Sequence, residues 1–150
     1  MFGRILVPID GSPASLKAAK IASDFLRKGC AVSVTLLHVA LNPQEYALQL
    51  EGFYTRPDLP RFREELMEKV KEIAQQTLDQ ALVSFDSSLK VETVIEYGPP
   101  AETICDIAHS GNYGLIVIGN RGLNKLQRLF LGSISSKVTS LAKCPVLVIK

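Results

Sequence analysis

The sequence lacks several features that mark common classes of protein. It has no tryptophan and only three cysteines in 150 residues, Cys30, Cys105 and Cys144. The cysteines are odd in number, far apart in the chain and form no C-x-x-C pair. We therefore expect reduced, mostly buried thiols, and neither a disulfide framework nor a metal site.

Long apolar runs and charge of one sign are also scarce. The apolar run after Met1 has only a few residues, too few for a signal peptide or a membrane span. The net charge is only +2, so no strong field favours nucleic acid or a membrane surface. We therefore expect a cytoplasmic protein that binds neither nucleic acid nor membrane.

The composition is typical of a globular chain. Hydrophobic residues make up 47% of the sequence and charged residues 21%. A chain of this length buries about 68–70% of the surface that its unfolded form exposes, so it needs neither a disulfide nor a metal ion to fold. We expect one domain that spans residues 1–150.

Strand and helix patterns alternate along the chain. Short apolar runs predict five strands, at 4–9, 32–39, 91–96, 115–118 and 146–149. Helical signals predict four helices, at 13–28, at 61–85, from the turn at 98–100 to about 110, and at 133–142, and residues 40–60 are predicted to form a loop. The predicted fold class is therefore α/β, a single doubly wound, Rossmann-like domain with a five-stranded parallel sheet and helices on both faces.

The second helix has a predicted apolar face and a predicted ion pair on its surface. Glu65 and Lys69 are spaced for an i,i+4 pair. The apolar face comprises Leu66, Val70, Ile73, Ala74 and Ala81.

A glycine-punctuated segment follows the fourth strand, where doubly wound sheets bind their ligands. Gly119-Asn120-Arg121-Gly122 comes first, and after nine residues Gly132-Ser133 opens the last helix. Glycines let backbone N–H groups approach a polyphosphate, and a helix N-terminus adds unpaired N–H groups and the positive end of its dipole. The pattern predicts an anion-binding loop, to which Arg121, Lys125 and Arg128 add positive charge. Each element by itself is ordinary, because Gly-Ser before a helix is a common N-cap.

The segment differs from the two better-known phosphate loops. The chain has no G-x-x-x-x-G-K-[ST] motif and no G-x-G-x-x-G after its first strand. The sequence therefore gives little support to a P-loop NTPase or a dinucleotide-dependent dehydrogenase.

The spacing G-2x-G-9x-G-[ST] resembles the ATP-binding signature of the universal stress proteins, and Gly119, Gly122, Gly132 and Ser133 complete it. Residues 4–12 resemble the opening strand and turn of that family, and residues 144–149 resemble its closing strand. The resemblance covers nearly the whole chain. It implies a stress-response or regulatory protein that binds ATP, or AMP or ADP, and Mg²⁺ could accompany the phosphates.

The resemblance also implies individual site residues. Pro8 and Ile9 match positions beside base and sugar, and the backbone of Val39 matches a contact to adenine. Asp10 matches an acidic residue near the ribose and phosphates, and is the candidate ligand for Mg²⁺. The phosphate-binding positions implied by the match are Gly119, Asn120, Arg121, Gly122, Gly132, Ser133, Ile134 and Ser135. Gly114 departs from the family, which often has Asp before the fourth strand.

Plain alternatives exist for two of the polar residues. Asp10 beside Gly11 is also a common turn former. His38 lies in an apolar strand, where a histidine is more often a hydrogen-bonded core residue than a ligand.

The closing strand predicts self-association. Val146 to Ile149 would form an exposed apolar edge in a monomer, and such edges are usually covered or paired. The resemblance implies a homodimer through this strand.

Two other functions compete with nucleotide-dependent regulation. One is an ATPase or phosphotransferase, in which Asp10 would hold Mg²⁺ and Arg121 would supply charge. No carboxylate or glutamine is evidently placed as a base, so we assign no catalytic residue and expect slow hydrolysis at most. The other is a dimeric interaction module with no bound nucleotide, against which the intact glycine pattern argues.

Overall fold

The structure is a computed structural model that describes residues 1–42, 59–120 and 132–150. Five strands and four helices alternate in these ranges. The strands are β1 (Phe2–Pro8), β2 (Ala31–Ala40), β3 (Val91–Tyr97), β4 (Leu115–Gly119) and β5 (Val146–Ile149). The helices are α1 (Pro13–Arg27), α2 (Leu59–Leu82), α3 (Pro100–Ser110) and α4 (Ser133–Leu141).

The strands form one parallel sheet in the order β3-β2-β1-β4-β5. The chain winds outwards from β1 to β3 and then returns to β4 on the other side of β1. This topology confirms the predicted doubly wound α/β fold.

Each face of the sheet carries its own hydrophobic core. On one face, Ile5 and Val7 of β1 pack with small residues of α1 and with Leu78 and Ala81 of α2. On the other face, Leu6 of β1 packs with residues of α3 and α4, among them Ile104 and Val138. Successive side chains of a strand point to opposite faces, which explains why the strands read as continuous apolar runs.

Local signals place both ends of α1. Ser12 caps the helix through its side chain, which accepts a hydrogen bond from the Ser15 N–H, and Pro13 is the first helical residue. Gly29 follows the helix at φ +67°, a left-handed conformation that glycine adopts without strain. The helix ends at Arg27, one residue earlier than predicted.

Two predictions for α2 were wrong in detail. Ile73 is 50% exposed, whereas Leu78, which the predicted apolar face omitted, is fully buried. Glu65 pairs with Arg61 at 3.2 Å and not with Lys69, which pairs with Glu72 at 3.1 Å. Several partners lie within reach on a charged helix surface, so spacing alone does not select one. The predicted loop at 40–60 is shorter than expected, because β2 extends to Ala40 and α2 begins at Leu59; residues 43–58 lie outside the described part.

The three cysteines are free thiols, and each is only partly buried, whereas the sequence predicted mostly buried thiols. Cys105 and Cys144 pack against the core that contains Leu6 and Val138. In the described ranges, no helix is both long enough and apolar enough to span a bilayer.

Candidate functional site

The carboxyl ends of β1 and β4 lie side by side at the point where the strand order reverses. The two strands pair directly, with Ile5 opposite Leu115 and Leu6 opposite Ile116. Asp10, just after β1, and Asn120, just after β4, therefore emerge at the same edge of the sheet. In open α/β sheets this is the position of the ligand crevice.

The turn after β1 is built around Asp10. Its carboxylate Oδ1 accepts a hydrogen bond of 2.9 Å from the Ser12 N–H, and its own N–H lies 3.4 Å from Ser15 Oγ. Gly11 between them has φ +81°, which favours glycine. Asp10 is therefore a turn former, as the plain alternative held. Its second oxygen, Oδ2, has no hydrogen bond to any described residue, so the half-buried carboxylate retains an atom for a ligand.

Pro8 and Ile9 lie in the core below this turn. Ile9 is 2% exposed, its N–H donates to the Leu37 carbonyl at 2.8 Å, and its carbonyl lies 2.8 Å from Nδ1 of His38. The His38 ring nitrogen donates to that carbonyl, since a carbonyl can only accept. His38 is thus a hydrogen-bonded strand histidine. Ile9 is buried beneath the turn that Asp10 forms, and its side chain is not exposed to a ligand.

Val39 lies at the end of β2, on the far side of β1 from β4. It pairs in register with Glu96 of β3, and its half-buried side chain packs against the core of Leu6. Val39 thus lies near the carboxyl end of β2, two strands along the sheet from β4, the strand that precedes Asn120.

Packing of α1 against β4 requires a glycine at position 119, independently of any ligand. A Cβ on Gly119 would lie 2.8 Å from the Ala14 carbonyl carbon and 2.8 Å from the Ser15 nitrogen, closer than real Cβ atoms approach. The missing side chain lets the first turn of α1 lie against the end of β4. From the sequence, Gly119 was predicted only to let a phosphate approach, and its contact with Ala14 was not predicted. The small size of the residue directly after Ser12-Pro13 is the sequence signal for that contact.

The backbone of Asn120 is held from two directions. Its N–H donates to the Ile149 carbonyl of β5 at 2.7 Å, and its carbonyl accepts from the Gly132 N–H at 2.6 Å. The same carbonyl accepts from the Ser135 hydroxyl at 2.9 Å. Neither the Asn120 nor the Gly132 N–H is therefore free to bind an anion, although both residues were predicted for the site.

The N-terminus of α4 has free donors, because an α-helix leaves its first N–H groups without a partner inside the helix. The first N–H of the α4 ladder belongs to Ser136, which donates to the Gly132 carbonyl at 2.9 Å. The preceding three N–H groups, of Ser133, Ile134 and Ser135, receive no side-chain cap, and the first turn has no acidic residue. Ser133 and Ile134 are exposed, whereas Ser135 is 2% exposed.

The N-terminus of α1, which lies beside Gly119, has fewer N–H groups available for an anion than that of α4. Pro13 has no N–H, the Ser15 N–H donates to the Ser12 hydroxyl at 3.2 Å, and the Ser12 N–H donates to Asp10. Of the two helices that follow β1 and β4, only α4 offers a group of adjacent N–H donors. It is the better anion site.

Helix α4 is also tied to α3 by charge. Lys137 Nζ contacts the carboxylate of Glu102, and this hydrogen bond is the main cause that lowers the pKa of Glu102. The Lys137 charge is therefore partnered by Glu102, one turn away from the open end of the helix.

Part of the predicted site lies outside the described residues. Arg121 and Gly122 fall there, as do Lys125 and Arg128. Within the described ranges, no three His, Cys, Asp or Glu side chains cluster in a way that could hold a metal ion.

Together, the fold and the site define a doubly wound α/β protein whose last crossover helix begins uncapped at the switch point of the sheet. This class corresponds to a known family. The profile of the universal stress protein family matches residues 1–150, and the chain belongs to that family.

Individual relatives agree with this assignment. Universal stress protein YxiE of Bacillus subtilis is 34% identical over the full length of both chains. Among solved structures, hypothetical protein MJ0577 superposes with a TM-score of 0.79 at 30% identity, covering 100% of this chain and 96% of the other. Universal stress protein UspA from Lactobacillus plantarum superposes with a TM-score of 0.76 at 31% identity, covering 99% and 97%.

More distant structures share the fold and contain nucleotides. A universal stress protein solved with cAMP has a TM-score of 0.68 at 19% identity. A family member from Arabidopsis thaliana has AMP bound, and one from Archaeoglobus fulgidus is in complex with dAMP, with TM-scores of 0.59 at 19% and 20% identity.

Proposed function

We propose that this protein binds an adenine nucleotide, ATP foremost, and acts as a nucleotide-dependent regulatory protein of the stress response. The observation that carries the proposal is the uncapped N-terminus of α4, placed directly after the glycine signature at the switch point. The cAMP, AMP and dAMP found in distant family members support an adenine nucleotide as the ligand class.

The phosphates would bind at Ser133, Ile134 and Ser135 of α4. Three adjacent N–H groups and the positive end of the helix dipole favour an anion, and the first turn of α4 brings no carboxylate to oppose it. The exposed Ser133 hydroxyl adds a hydrogen-bond donor at the first residue of α4.

The rest of the nucleotide would extend from α4 across β1 towards β2. Asp10 offers the free oxygen Oδ2, which suits either a ribose hydroxyl or a Mg²⁺ ion. Mg²⁺ usually takes one or two carboxylates together with substrate phosphates, so a single Asp10 is a fitting protein ligand for an ion that arrives with the nucleotide. The backbone of Val39 would lie at the adenine end.

The arrangement favours binding of the nucleotide and not its rapid hydrolysis. Phosphoryl transfer needs a residue that orients the attacking group, and in the described residues between β1 and α1 and between β4 and α4 the one carboxylate is that of Asp10. We expect slow hydrolysis at most. A turnover above about 1 per second, the lower end of the usual enzyme range, would contradict this and favour the ATPase.

The first test is thermal unfolding with ATP, ADP and AMP, each with and without Mg²⁺, and with GTP as the control for base selectivity. A ligand at about 100 times its Kd adds roughly 2.7 kcal/mol to the free energy of unfolding. In a chain of this size that corresponds to a rise of roughly 5–10 °C in Tm. If no adenine nucleotide raises Tm, the proposal fails and the interaction module is favoured.

The second test places a charge at the open helix end. Ser133→Asp should abolish the nucleotide-induced rise in Tm through repulsion of the phosphates, while the helix dipole leaves the free protein at least as stable as before. Ser140→Asp is the matched control, because this exposed serine is seven residues, about 10 Å, further along the same helix. If Ser133→Asp binds ATP as tightly as Ser140→Asp does, the phosphates do not bind at α4.

The third test concerns Mg²⁺. Asp10→Asn keeps an oxygen that accepts the Ser12 N–H but removes the charge, so the turn is retained. We expect the difference between ATP affinities with and without Mg²⁺ to shrink in this variant, and to persist in Asp24→Asn at the other end of α1. An unchanged Mg²⁺ effect in Asp10→Asn would assign Asp10 to the ribose or to the turn alone.

We further propose a homodimer through β5. The strand lies at one end of the sheet order and its four residues, Val146 to Ile149, are all apolar. The other edge strand, β3, carries Glu92 and Glu96, and charge on an edge opposes pairing. Beside β5, the exposed Ile134 and Leu141 lie seven residues apart on one side of α4 and add apolar surface.

Light scattering tests the dimer, and Val148→Pro tests its location. The carbonyls of Pro145 and Ile149 point to β4, where they accept from Ile116 and Asn120. By strand alternation the Val148 N–H points outwards, so proline there removes an edge donor and leaves the β4 ladder intact. We expect a dimer for the native chain and a folded monomer for Val148→Pro. A native monomer at micromolar concentration would refute the proposal.

A further inference from the structure

The Ser135 side chain has a different position from the other serine in the predicted phosphate motif. Ser135 is 2% exposed, and its hydroxyl lies 2.9 Å from the Asn120 carbonyl and 3.0 Å from the Gly132 carbonyl. Both of these groups are acceptors, so the single hydroxyl proton is already used inside the protein. Ser133 is exposed, and its hydroxyl has no hydrogen bond to any described residue.

The bonds of Ser135 join the two ends of the glycine-rich segment. Asn120 and Gly132 are separated by the eleven residues 121–131, yet the Gly132 N–H and the Asn120 carbonyl are 2.6 Å apart. The Asn120 carbonyl also accepts a hydrogen bond from the Ser135 hydroxyl. Its oxygen has two lone pairs, so it binds the N-cap residue, Gly132, and the third residue of α4, Ser135, at the same time. Asn120 is in turn fixed to β5 through Ile149.

The consequence is a defined direction for the start of α4. With Gly132 and Ser135 both attached to the end of β4, the first turn of the helix has a fixed orientation relative to the sheet. The three free N–H groups then point at one place without having to be ordered by the ligand. Donors that are ordered in advance bind more tightly, because less conformational entropy is lost on binding.

We infer that Ser135 is a positioning residue: its hydroxyl clamps Asn120 to the first turn of α4 and so aims the N–H groups that bind phosphate, while Ser133 contacts the ligand. This inference rests on the proposed nucleotide binding at α4. Ser133 and Ser135, both predicted from the sequence to bind phosphate, thus have different roles.

The test measures ATP affinity by calorimetry at a temperature where every variant is folded, alongside the stability of each free protein. Ser135→Ala should weaken ATP binding by about tenfold, the value of one lost hydrogen bond, and should also lower Tm without ligand. Ser135→Thr retains the hydroxyl and should bind ATP within about threefold of the native chain. The control Ser136→Ala, the next and exposed serine of α4, should change neither quantity.

Three results would overturn the inference. Ser135→Ala with lower Tm but native ATP affinity would make the residue structural only. Weaker binding with an unchanged Tm would indicate direct contact of the hydroxyl with phosphate. A Thr variant that binds as weakly as the Ala variant would show that the hydroxyl does not carry the effect. If the native chain itself binds no adenine nucleotide, the proposed function fails before this comparison is reached.

Discussion

The hydroxyl of Thr35, fully buried in β2, donates a hydrogen bond of 2.8 Å to the Glu92 carboxylate of β3. Arg4 of β1 reaches the same carboxylate oxygen at 3.0 Å, and the Tyr113 hydroxyl donates to Thr35 at 2.8 Å. Four side chains from β1, β2, β3 and the segment before β4 thus form one polar network. The network lies towards the amino ends of the strands, whereas the candidate site lies at their carboxyl ends.

This network predicts a specific pH dependence of stability. The hydrogen bond from Thr35 is the main cause that lowers the pKa of Glu92 from its ordinary 4.5, with Arg4 acting in the same direction. A carboxyl whose pKa is lower in the folded chain contributes stability above its unfolded pKa and loses that contribution as pH falls through the folded pKa. Glu92→Gln should therefore flatten the loss of stability below about pH 4.5, measured by urea unfolding. The same change at Glu96, exposed on the same strand, is the control; if both variants follow the native curve, Glu92 does not contribute.

Removal of the Tyr113 hydroxyl should weaken the same network. The hydroxyl accepts from Arg4 at 2.9 Å besides donating to Thr35, and Tyr113 is 7% exposed. Tyr113→Phe leaves the buried Thr35 without its donor, at a cost of about 1–3 kcal/mol in the free energy of unfolding. Tyr97→Phe is a matched control, because the buried Tyr97 hydroxyl has no hydrogen-bond partner among the described residues. Equal losses in the two variants would contradict the network's contribution.

A methyl group at Gly119 should destabilise the fold even without ligand. Its Cβ would collide with the backbone of Ala14 and Ser15, and backbone in a helix turn yields only at a cost. Overpacking of this kind costs about 1–3 kcal/mol. Gly3→Ala, where no heavy atom lies within 4 Å, should leave urea unfolding nearly unchanged. A Gly119→Ala variant as stable as Gly3→Ala would show that the contact with α1 relaxes freely.

Two of the thiols should react slowly in the native protein. Burial raises the pKa of both Cys105 and Cys144, and the nearby Asp106 adds to the effect at Cys105. Because the thiolate is the reactive form, less of it is present at neutral pH than in a free thiol. Alkylation followed site by site with mass spectrometry should be slower in the native chain than in denaturant, and should accelerate as pH rises. Equal rates in both conditions would refute the expectation.

The order of strands and helices was predictable because its signals are local. The apolar run at 4–9 indicated β1, Ser12-Pro13 marked the start of α1, and Gly29 its end, all close to their places in the structure. The signature from Gly119 to Ser133 located the switch point of the sheet. These features depend on a few neighbouring residues, whose steric and hydrogen-bonding preferences act over one or two turns of chain.

The sequence alone therefore determined the fold class, the family and the region of the chain where a nucleotide is expected. Only the tertiary structure decided what individual residues do there. Gly119, at the end of β4, leaves room for Ala14 in the first turn of α1. The Ser135 hydroxyl donates a hydrogen bond to the Asn120 carbonyl, whereas Ser133 is exposed to solvent. Both roles come from distances between residues 15 or more positions apart, and such distances are set by the packing of helices on the sheet.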